Sequence, residues 1–257
     1  MSRFSKLDFD GAPRKAAAQA EAWPDLDAAA CLKIGDERFD GGFYEEALTS
    51  YSRALRFDKD SVEAWIGQLR CLICLGEYPE ALTWCSRAQE RFPKSADVLA
   101  CKGLTLVLMD ERSEGLEFLD GAVQLRSPSA WVWLARGEAL LHTRDGAVNA
   151  GRCFLKAAEL APQEWRVELR IGMALNGAGK FAEARRWLAS ALKGAPNNAL
   201  VLLHNGLMRE GLGEWNLAVG LFERALVARR GFREAQNALE RIQKIGPVAR
   251  WWRKLRS

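Results

Sequence analysis

Six alanine residues recur along this 257-residue chain at an almost constant interval. The interval is 34 residues, and once 35, through Ala54, Ala88, Ala122, Ala157, Ala191 and Ala225. A second set of small residues stands seven positions before these, at Ala47, Ala81, Gly115, Ala150, Ala184 and Ala218. Small residues at a fixed long period indicate a repeated supersecondary unit whose copies touch closely at the same points. The chain is therefore predicted to fold as a stack of similar units.

Each unit is predicted to contain two helices joined by a turn. In the fifth unit, Leu169 and Met173 are one helical turn apart and precede the turn residue Gly179. Ala184 and Leu188 repeat this spacing in the second half of the unit. No run of alternating β-branched residues predicts a strand, so the fold is expected to be all-α.

This pattern resembles the tetratricopeptide repeat (TPR), a helix–turn–helix module of 34 residues. The second unit carries the family's residues in order, at Trp65, Gly76, Tyr78, Ala81, Ala88 and Pro93. The sixth unit carries them at Gly206, Gly213, Trp215, Ala218, Phe222 and Ala225. The resemblance implies a right-handed TPR α-solenoid, a superhelix of helix-turn-helix repeats with a C-terminal capping helix.

The period divides the chain into one N-terminal extension, six repeats and a C-terminal segment, with no linker that would separate two domains. The extension is 1–27, the repeats are 28–61, 62–95, 96–128, 131–164, 165–198 and 199–232, and the capping helix and tail are 233–257. The third repeat departs from the pattern, because Asp110 replaces the turn glycine and Gly115 replaces an alanine. We expect the one extra residue to lie in the turn Ser127–Pro128–Ser129–Ala130.

The cysteines and histidines predict no metal site, no cofactor and no catalytic centre. Cys71 and Cys74 form a Cys-x-x-Cys pair, but a zinc site needs a second suitably spaced pair of ligands. His142 and His204 each lack a nucleophile and an acid at a meaningful spacing. The glycines of Gly177-Ala-Gly179-Lys180 are interpreted as turn residues between helices, since no buried strand precedes them. The chain is not expected to be an enzyme.

The protein is predicted to be cytoplasmic, either free or in peripheral contact with a membrane. Six cysteines without an export signal favour a reducing compartment. No stretch is apolar and long enough to cross a bilayer.

The TPR resemblance implies a concave groove lined by the first helix of each repeat. The groove residues predicted in this way are Ile66, Arg70, Ile73, Leu104, Val107, Arg166, Leu169, Met173, Leu203 and Leu207. This lining is mostly aliphatic, and it lacks the basic clamp with which some TPR domains hold carboxylates. We expect a hydrophobic or amphipathic segment of a partner protein to cover it, or else the chain's own residues 1–27 or its tail. Leu104→Glu and Leu203→Glu are expected to abolish partner binding without loss of helicity.

The C-terminal tail is basic and rich in tryptophan. Its residues of interest are Arg250, Trp251, Trp252, Arg253, Lys254, Leu255 and Arg256. If this tail is helical, its spacing predicts that the apolar side chains fall on one face and the arginines on the other. Three interpretations stay open: contact with an anionic membrane surface, contact with an acidic partner protein, or a lid on the last repeat. Nucleic acid is disfavoured, because the charge forms one short tail and no continuous stripe.

These observations together predict a non-catalytic scaffold or adaptor that binds protein in its groove. Two alternatives of other classes remain. One is an accessory protein that binds the surface of a cytoskeletal filament, as in bacterial proteins similar to kinesin light chains. The other is a secretion or assembly chaperone with one hydrophobic client.

Overall fold

The computed structural model describes residues 27–125 and 128–244. The predictions for the N-terminal extension and for the basic tail fall outside these residues. Within them the chain forms thirteen α-helices and no strand. In order, they are α1 Ala28–Asp40, α2 Tyr44–Phe57, α3 Val62–Cys74, α4 Tyr78–Arg91, α5 Ala96–Leu108, α6 Arg112–Gln124, α7 Ala130–Leu141, α8 Ala147–Leu160, α9 Trp165–Gly177, α10 Phe181–Gly194, α11 Ala199–Gly211, α12 Trp215–Ala228 and α13 Arg233–Lys244. The all-α expectation is confirmed for this part of the chain.

The helices fall into two compact units, one on each side of the bond between Leu125 and Arg126. The first unit contains α1 to α6 and the second contains α7 to α13. The constant period predicts six repeats in one stack, and that division into repeats stays a prediction. Each unit has the arrangement of a TPR α-solenoid, in which consecutive helices form antiparallel pairs and pairs stack on one another.

The same packing rule operates in both units. The first helix of each pair contacts the first helix of the next pair, as in α1 with α3 and α9 with α11. The second helix packs between its own partner and the next pair, as α2 does against α3. One face of each unit is therefore built from first helices alone.

The periodic small residues lie where the helices come closest. All six alanines of the first set are buried, and so are all members of the second set. Gly115 shows why size matters, because a Cβ atom there would lie 2.6 Å from the carbonyl oxygen of Gly103. Real Cβ contacts are not this short, so the third pair needs glycine where the others accept alanine.

The turns inside the pairs use a left-handed residue. Gly42, Gly76, Gly179 and Gly213 have φ values between 71° and 76°. Asp110 takes the same place in the third pair with φ 73°, which aspartate tolerates better than most residues with a side chain. The substitution that breaks the sequence pattern thus leaves the turn intact.

The extra residue of the period lies between α7 and α8, so the prediction for the Ser127–Ala130 turn was wrong. The other pairs have three residues between their helices, whereas 142–146 is a connection of five. This turn has its own hydrogen bonds: Thr143 donates from both its N–H and its hydroxyl to the carbonyl of Leu140. The last residue of this turn, Gly146, has to be a glycine, because a Cβ atom there would lie 2.1 Å from the carbonyl oxygen of Leu140.

In 27–125 and 128–244, no helix has the length and apolar character that crossing a bilayer requires.

Candidate binding site

A cavity of about 650 Å³ opens in the second unit beside the first helices α9 and α11. The capping helix α13 also contributes to its wall. The residues that line it are Met173, Asn176, Gly177, Phe181, His204, Leu207, Glu210, Gly211, Gly213, Trp215 and Arg241. Its position at the carboxyl ends of α9 and α11 places it next to the turns that lead into α10 and α12.

Glycines make room for this cavity. A Cβ atom at Gly177, the last residue of α9, would meet no atom within 4 Å. At Gly211 the reverse holds, because the Phe181 ring lies 2.4 Å from the place that a Cβ would occupy. Phe181 thus packs against bare backbone and forms an apolar wall, while the space beside Gly177 stays open.

Three polar atoms in the wall are buried without a hydrogen bond. They are Oδ1 of Asn176, Nδ1 of His204 and Nε1 of Trp215. The other end of the Asn176 amide is fixed, since its Nδ2 donates to the carbonyl of His204 at 2.9 Å. A buried polar atom left without a partner costs about 1–3 kcal/mol. All three atoms are closed to solvent as well as unpaired within the protein, so this cost falls on the folded wall.

The ionised side chains of the wall neutralise each other. Arg241 donates from Nε and a terminal nitrogen to the two carboxylate oxygens of Glu210, at 2.8 and 2.6 Å. These bonds raise the pKa of Arg241. Burial, and secondly the charge of nearby Arg170, lowers the pKa of His204 to about 4. At neutral pH the imidazole is uncharged, and the wall carries no net charge.

Two of the predicted groove residues of the second unit line the cavity, namely Met173 and Leu207. Leu169 and Leu203 lie on the same helices but are buried, with 3% and 4% of their surface exposed. Arg166 is exposed at the start of α9 and pairs with Glu164 at 2.9 Å.

The predicted residues of the first unit are half-buried or buried. Ile66 and Arg70 are half-buried, and the Arg70 guanidinium lies 4.5 Å from the centre of the Phe39 ring. The other three, Ile73, Leu104 and Val107, are buried.

This burial corrects the mutational expectation for Leu104 and Leu203. Leu104 is 0% exposed, so glutamate there would place a charge in the core and unfold the helix pair. The same argument applies to Leu203. Neither variant separates binding from stability.

The sequence pattern places part of the polar wall at groove positions and does not predict the rest. Asn176 and Glu210 stand at the twelfth position of the fifth and sixth repeats, a groove position in the TPR resemblance. Extending the frame one unit beyond residue 232 puts Arg241 at the ninth position, another groove position. His204 stands at the sixth position of its repeat, which is not a groove position. The sequence pattern therefore does not predict it, because its burial depends on the packing of α9 on α11.

The cysteines show no arrangement for chemistry. Burial raises the pKa of the Cys71 thiol, and likewise that of Cys85, well above the usual range. None of the six cysteines takes part in a disulfide. Among the residues that the structure describes, no three histidine, cysteine or acidic side chains come together as metal ligands.

Comparison with known proteins finds the same repeat in part of the chain. The tetratricopeptide repeat family profile matches residues 32–96. No curated protein sequence matches the chain significantly.

Solved structures share the fold at low sequence identity. A tetratricopeptide repeat protein from Parabacteroides merdae is 18% identical, with a TM-score of 0.56 over 87% of each chain. PilW, a type IV pilus biogenesis factor, is 18% identical, with a TM-score of 0.51 over 82% of this chain and 98% of its own. The TPR protein TTC0263 from Thermus thermophilus is 17% identical, with a TM-score of 0.50 over 84% and 99%.

Proposed function

We propose that this chain, which is a tetratricopeptide repeat protein, is a binding scaffold that holds a short apolar segment of a partner protein in the cavity of its second unit. The observation that carries the proposal is the wall itself. Apolar side chains such as Met173, Phe181 and Leu207 line the cavity beside the polar residues Asn176 and Glu210.

The size and chemistry of the cavity support a ligand of a few residues. Binding sites for small ligands usually measure about 300–1,000 Å³ and combine an apolar wall with a few placed polar groups. The cavity of about 650 Å³ lies inside that range. It also lies on the face built from first helices, which TPR proteins generally use to bind other proteins.

Peptide selection tests the proposal directly. The full chain is immobilised, peptides are selected from a random library, and their Kd values are measured by fluorescence anisotropy. Leu207→Glu places a charge in the apolar wall without entering the core, because Leu207 is half-buried. We expect it to weaken the selected peptides at least about tenfold, which is about 1.4 kcal/mol.

The matched control is Leu217→Glu in the same unit. Leu217 lies on α12, is 56% exposed and does not line the cavity. Its affinity is expected to equal that of the wild type. If Leu207→Glu and Leu217→Glu bind equally well, the site lies elsewhere. Gly177→Leu is a second blocking variant, because its side chain would enter open space and not a packed contact.

A further inference from the structure

We infer that the second unit has another binding surface on the side of its second helices, a groove between α8 and α10 that takes an acidic amphipathic helix of a partner protein. This inference goes beyond the proposed function and does not depend on it, since the groove and the cavity share no lining residue. It is drawn from the shape, the apolar side chains and the charge of the groove.

The groove has an apolar floor and small residues on its walls. It measures about 530 Å³ and is lined by Gly151, Phe154, Leu175, Ala182, Glu183, Arg185, Arg186, Trp187 and Ala189. Phe154 and Leu175 are only 2% and 3% exposed and form the floor. A Cβ at Gly151 would meet no atom within 4 Å, and Ala182 and Ala189 are exposed. The backbone of a further helix can therefore approach α8 and α10 closely.

The rim of the groove on α8 is apolar and exposed. Val148 and Leu155 are 70% and 48% exposed, and Gly151 stands between them on the same side of the helix, at the i+3 position of an i, i+3, i+7 set. The residues equivalent to Val148 in the other second helices of the repeats are Glu45, Pro79, Ser113, Ala182 and Asn216, and those equivalent to Leu155 are Ser52, Ser86, Asp120, Ala189 and Glu223. The pair of large apolar side chains is thus particular to α8. Neighbouring exposed apolar side chains, unlike single ones, are typical of interaction surfaces.

The ion pairs around the groove leave a positive charge. Glu183 lines the groove but is paired with Lys180 at 2.9 Å. Arg185 pairs with Glu214 at 2.6 Å, and the same carboxylate also binds Arg209. One carboxylate therefore serves two guanidinium groups, and these three side chains keep one positive charge.

Two further arginines add to this charge. Among the residues that the structure describes, no carboxylate pairs with Arg186, which lines the groove, or with Arg152, which follows Gly151 on α8. The Arg186 guanidinium lies 4.7 Å from the centre of the Trp187 ring, a cation–π contact that holds it at the groove. Acidic residues on the flanks of a bound helix would pair with these cations while its apolar face covers the floor and the rim. A flat lipid surface would meet the rim and leave the floor uncovered.

Fluorescence anisotropy with a designed peptide provides the test. The probe is the fluorescein-labelled peptide ELAELLAELAELLAEL, whose leucines lie on one face of a helix. Its counterpart has lysine in place of every glutamate. We expect the full chain to bind the acidic peptide at least about tenfold more tightly than the basic one at about 50 mM salt, and this difference to shrink at about 500 mM.

Matched substitutions locate the binding surface. Gly151→Leu fills the groove, whereas Gly220→Leu on α12 makes the same change outside it, and a Cβ at either glycine meets no atom within 4 Å. The first is expected to weaken the acidic peptide at least about tenfold, and the second is expected to bind it like the wild type. Arg186→Glu should also weaken it, while Arg233→Glu on α13, which changes the net charge equally, should not.

The outcomes keep this inference separate from the proposed function. It is overturned if the acidic peptide binds no more tightly than the basic one, or if Gly151→Leu binds it like Gly220→Leu. It is also overturned if Leu207→Glu weakens the acidic peptide, since the peptide would then occupy the cavity at α9 and α11. Sedimentation with phosphatidylserine vesicles addresses the lipid alternative: vesicle binding that Gly151→Leu abolishes, with no binding of either peptide, would assign the groove to an anionic membrane surface. The proposed function stands or falls on Leu207→Glu and the selected peptides alone.

Discussion

At the residue scale, His204 is the group of the candidate site whose pKa is shifted most. Its Nδ1 is buried without a hydrogen bond, and the positive charge of Arg170 from α9 opposes its protonation. The two ionised side chains of the cavity wall, Glu210 and Arg241, are bound to each other. The neutral imidazole is therefore the form compatible with the folded second unit.

This environment predicts a loss of stability in mild acid. The pKa of His204 falls from an ordinary value of 6.5 in the unfolded chain to about 4 in the folded one. Its contribution to stability is complete above about pH 6.5 and is lost as the pH falls towards 4, because the unfolded state then binds the extra proton. Between about pH 7 and pH 5 the loss is about 2 kcal/mol.

Urea unfolding at these two pH values, monitored by tryptophan fluorescence, measures the effect. His204→Gln has no titrating group and should lose about 2 kcal/mol less than the wild type over the same interval. All other titrating groups are shared by the two proteins. An identical pH dependence would show that His204 is protonated in the folded state.

At the scale of the elements, glycine sets the distance between the two helices of a pair. A Cβ at Gly206 on α11 would lie 2.4 Å from the Phe222 ring of α12. Gly137 faces Phe154 in the same way, and Gly172 faces Leu188. The small residue of one helix and the large one of the other therefore act as a matched pair.

Two glycine-to-alanine substitutions test this pairing, because they are expected to change the stability of the protein in opposite directions. Gly206→Ala is expected to destabilise the protein by about 1–3 kcal/mol, because the added methyl group overpacks a closed contact. Gly220→Ala on α12 is expected to stabilise it by about 0.5–1 kcal/mol, since a Cβ there meets nothing within 4 Å and alanine favours a helix interior. Thermal unfolding of the two variants gives both signs. Stabilisation by both would mean that the Phe222 ring moves aside freely.

At the scale of the whole molecule, charge is divided between the two compact units. Residues 27–125 contain eleven lysines and arginines and eighteen acidic residues, a net charge of −7. Residues 128–244 contain seventeen and eleven, a net charge of +6. The overall charge of +4 hides this division.

The division predicts attraction between molecules at low salt. A uniform charge of +4 would make copies repel, and added salt would weaken that repulsion. Oppositely charged units make copies attract, and added salt weakens the attraction. We expect the second virial coefficient from light scattering to be negative at about 10 mM salt and to rise by about 300 mM. A coefficient that falls with salt would contradict this prediction.

The sequence by itself determined the repeat. Period, helix pairs and turns follow from small residues and turn residues, whose effects act within one unit or between neighbours, so they are visible along the chain. Local backbone tolerance explains why Asp110 could replace a turn glycine. The same local logic misplaced the extra residue, because the hydrogen bonds that settle it form only when 142–146 closes against the end of α7.

Only the tertiary structure decided which groove positions are accessible. Leu104 and Leu207 occupy equivalent faces in the sequence pattern, yet one is core and the other lines a cavity. That cavity joins residues from two helix pairs and the capping helix, among them Phe181, His204 and Arg241. Burial also depends on contacts between helices of different pairs, such as that of Asn176 with His204 and that of Arg241 with Glu210, which are 28 and 31 residues apart in sequence.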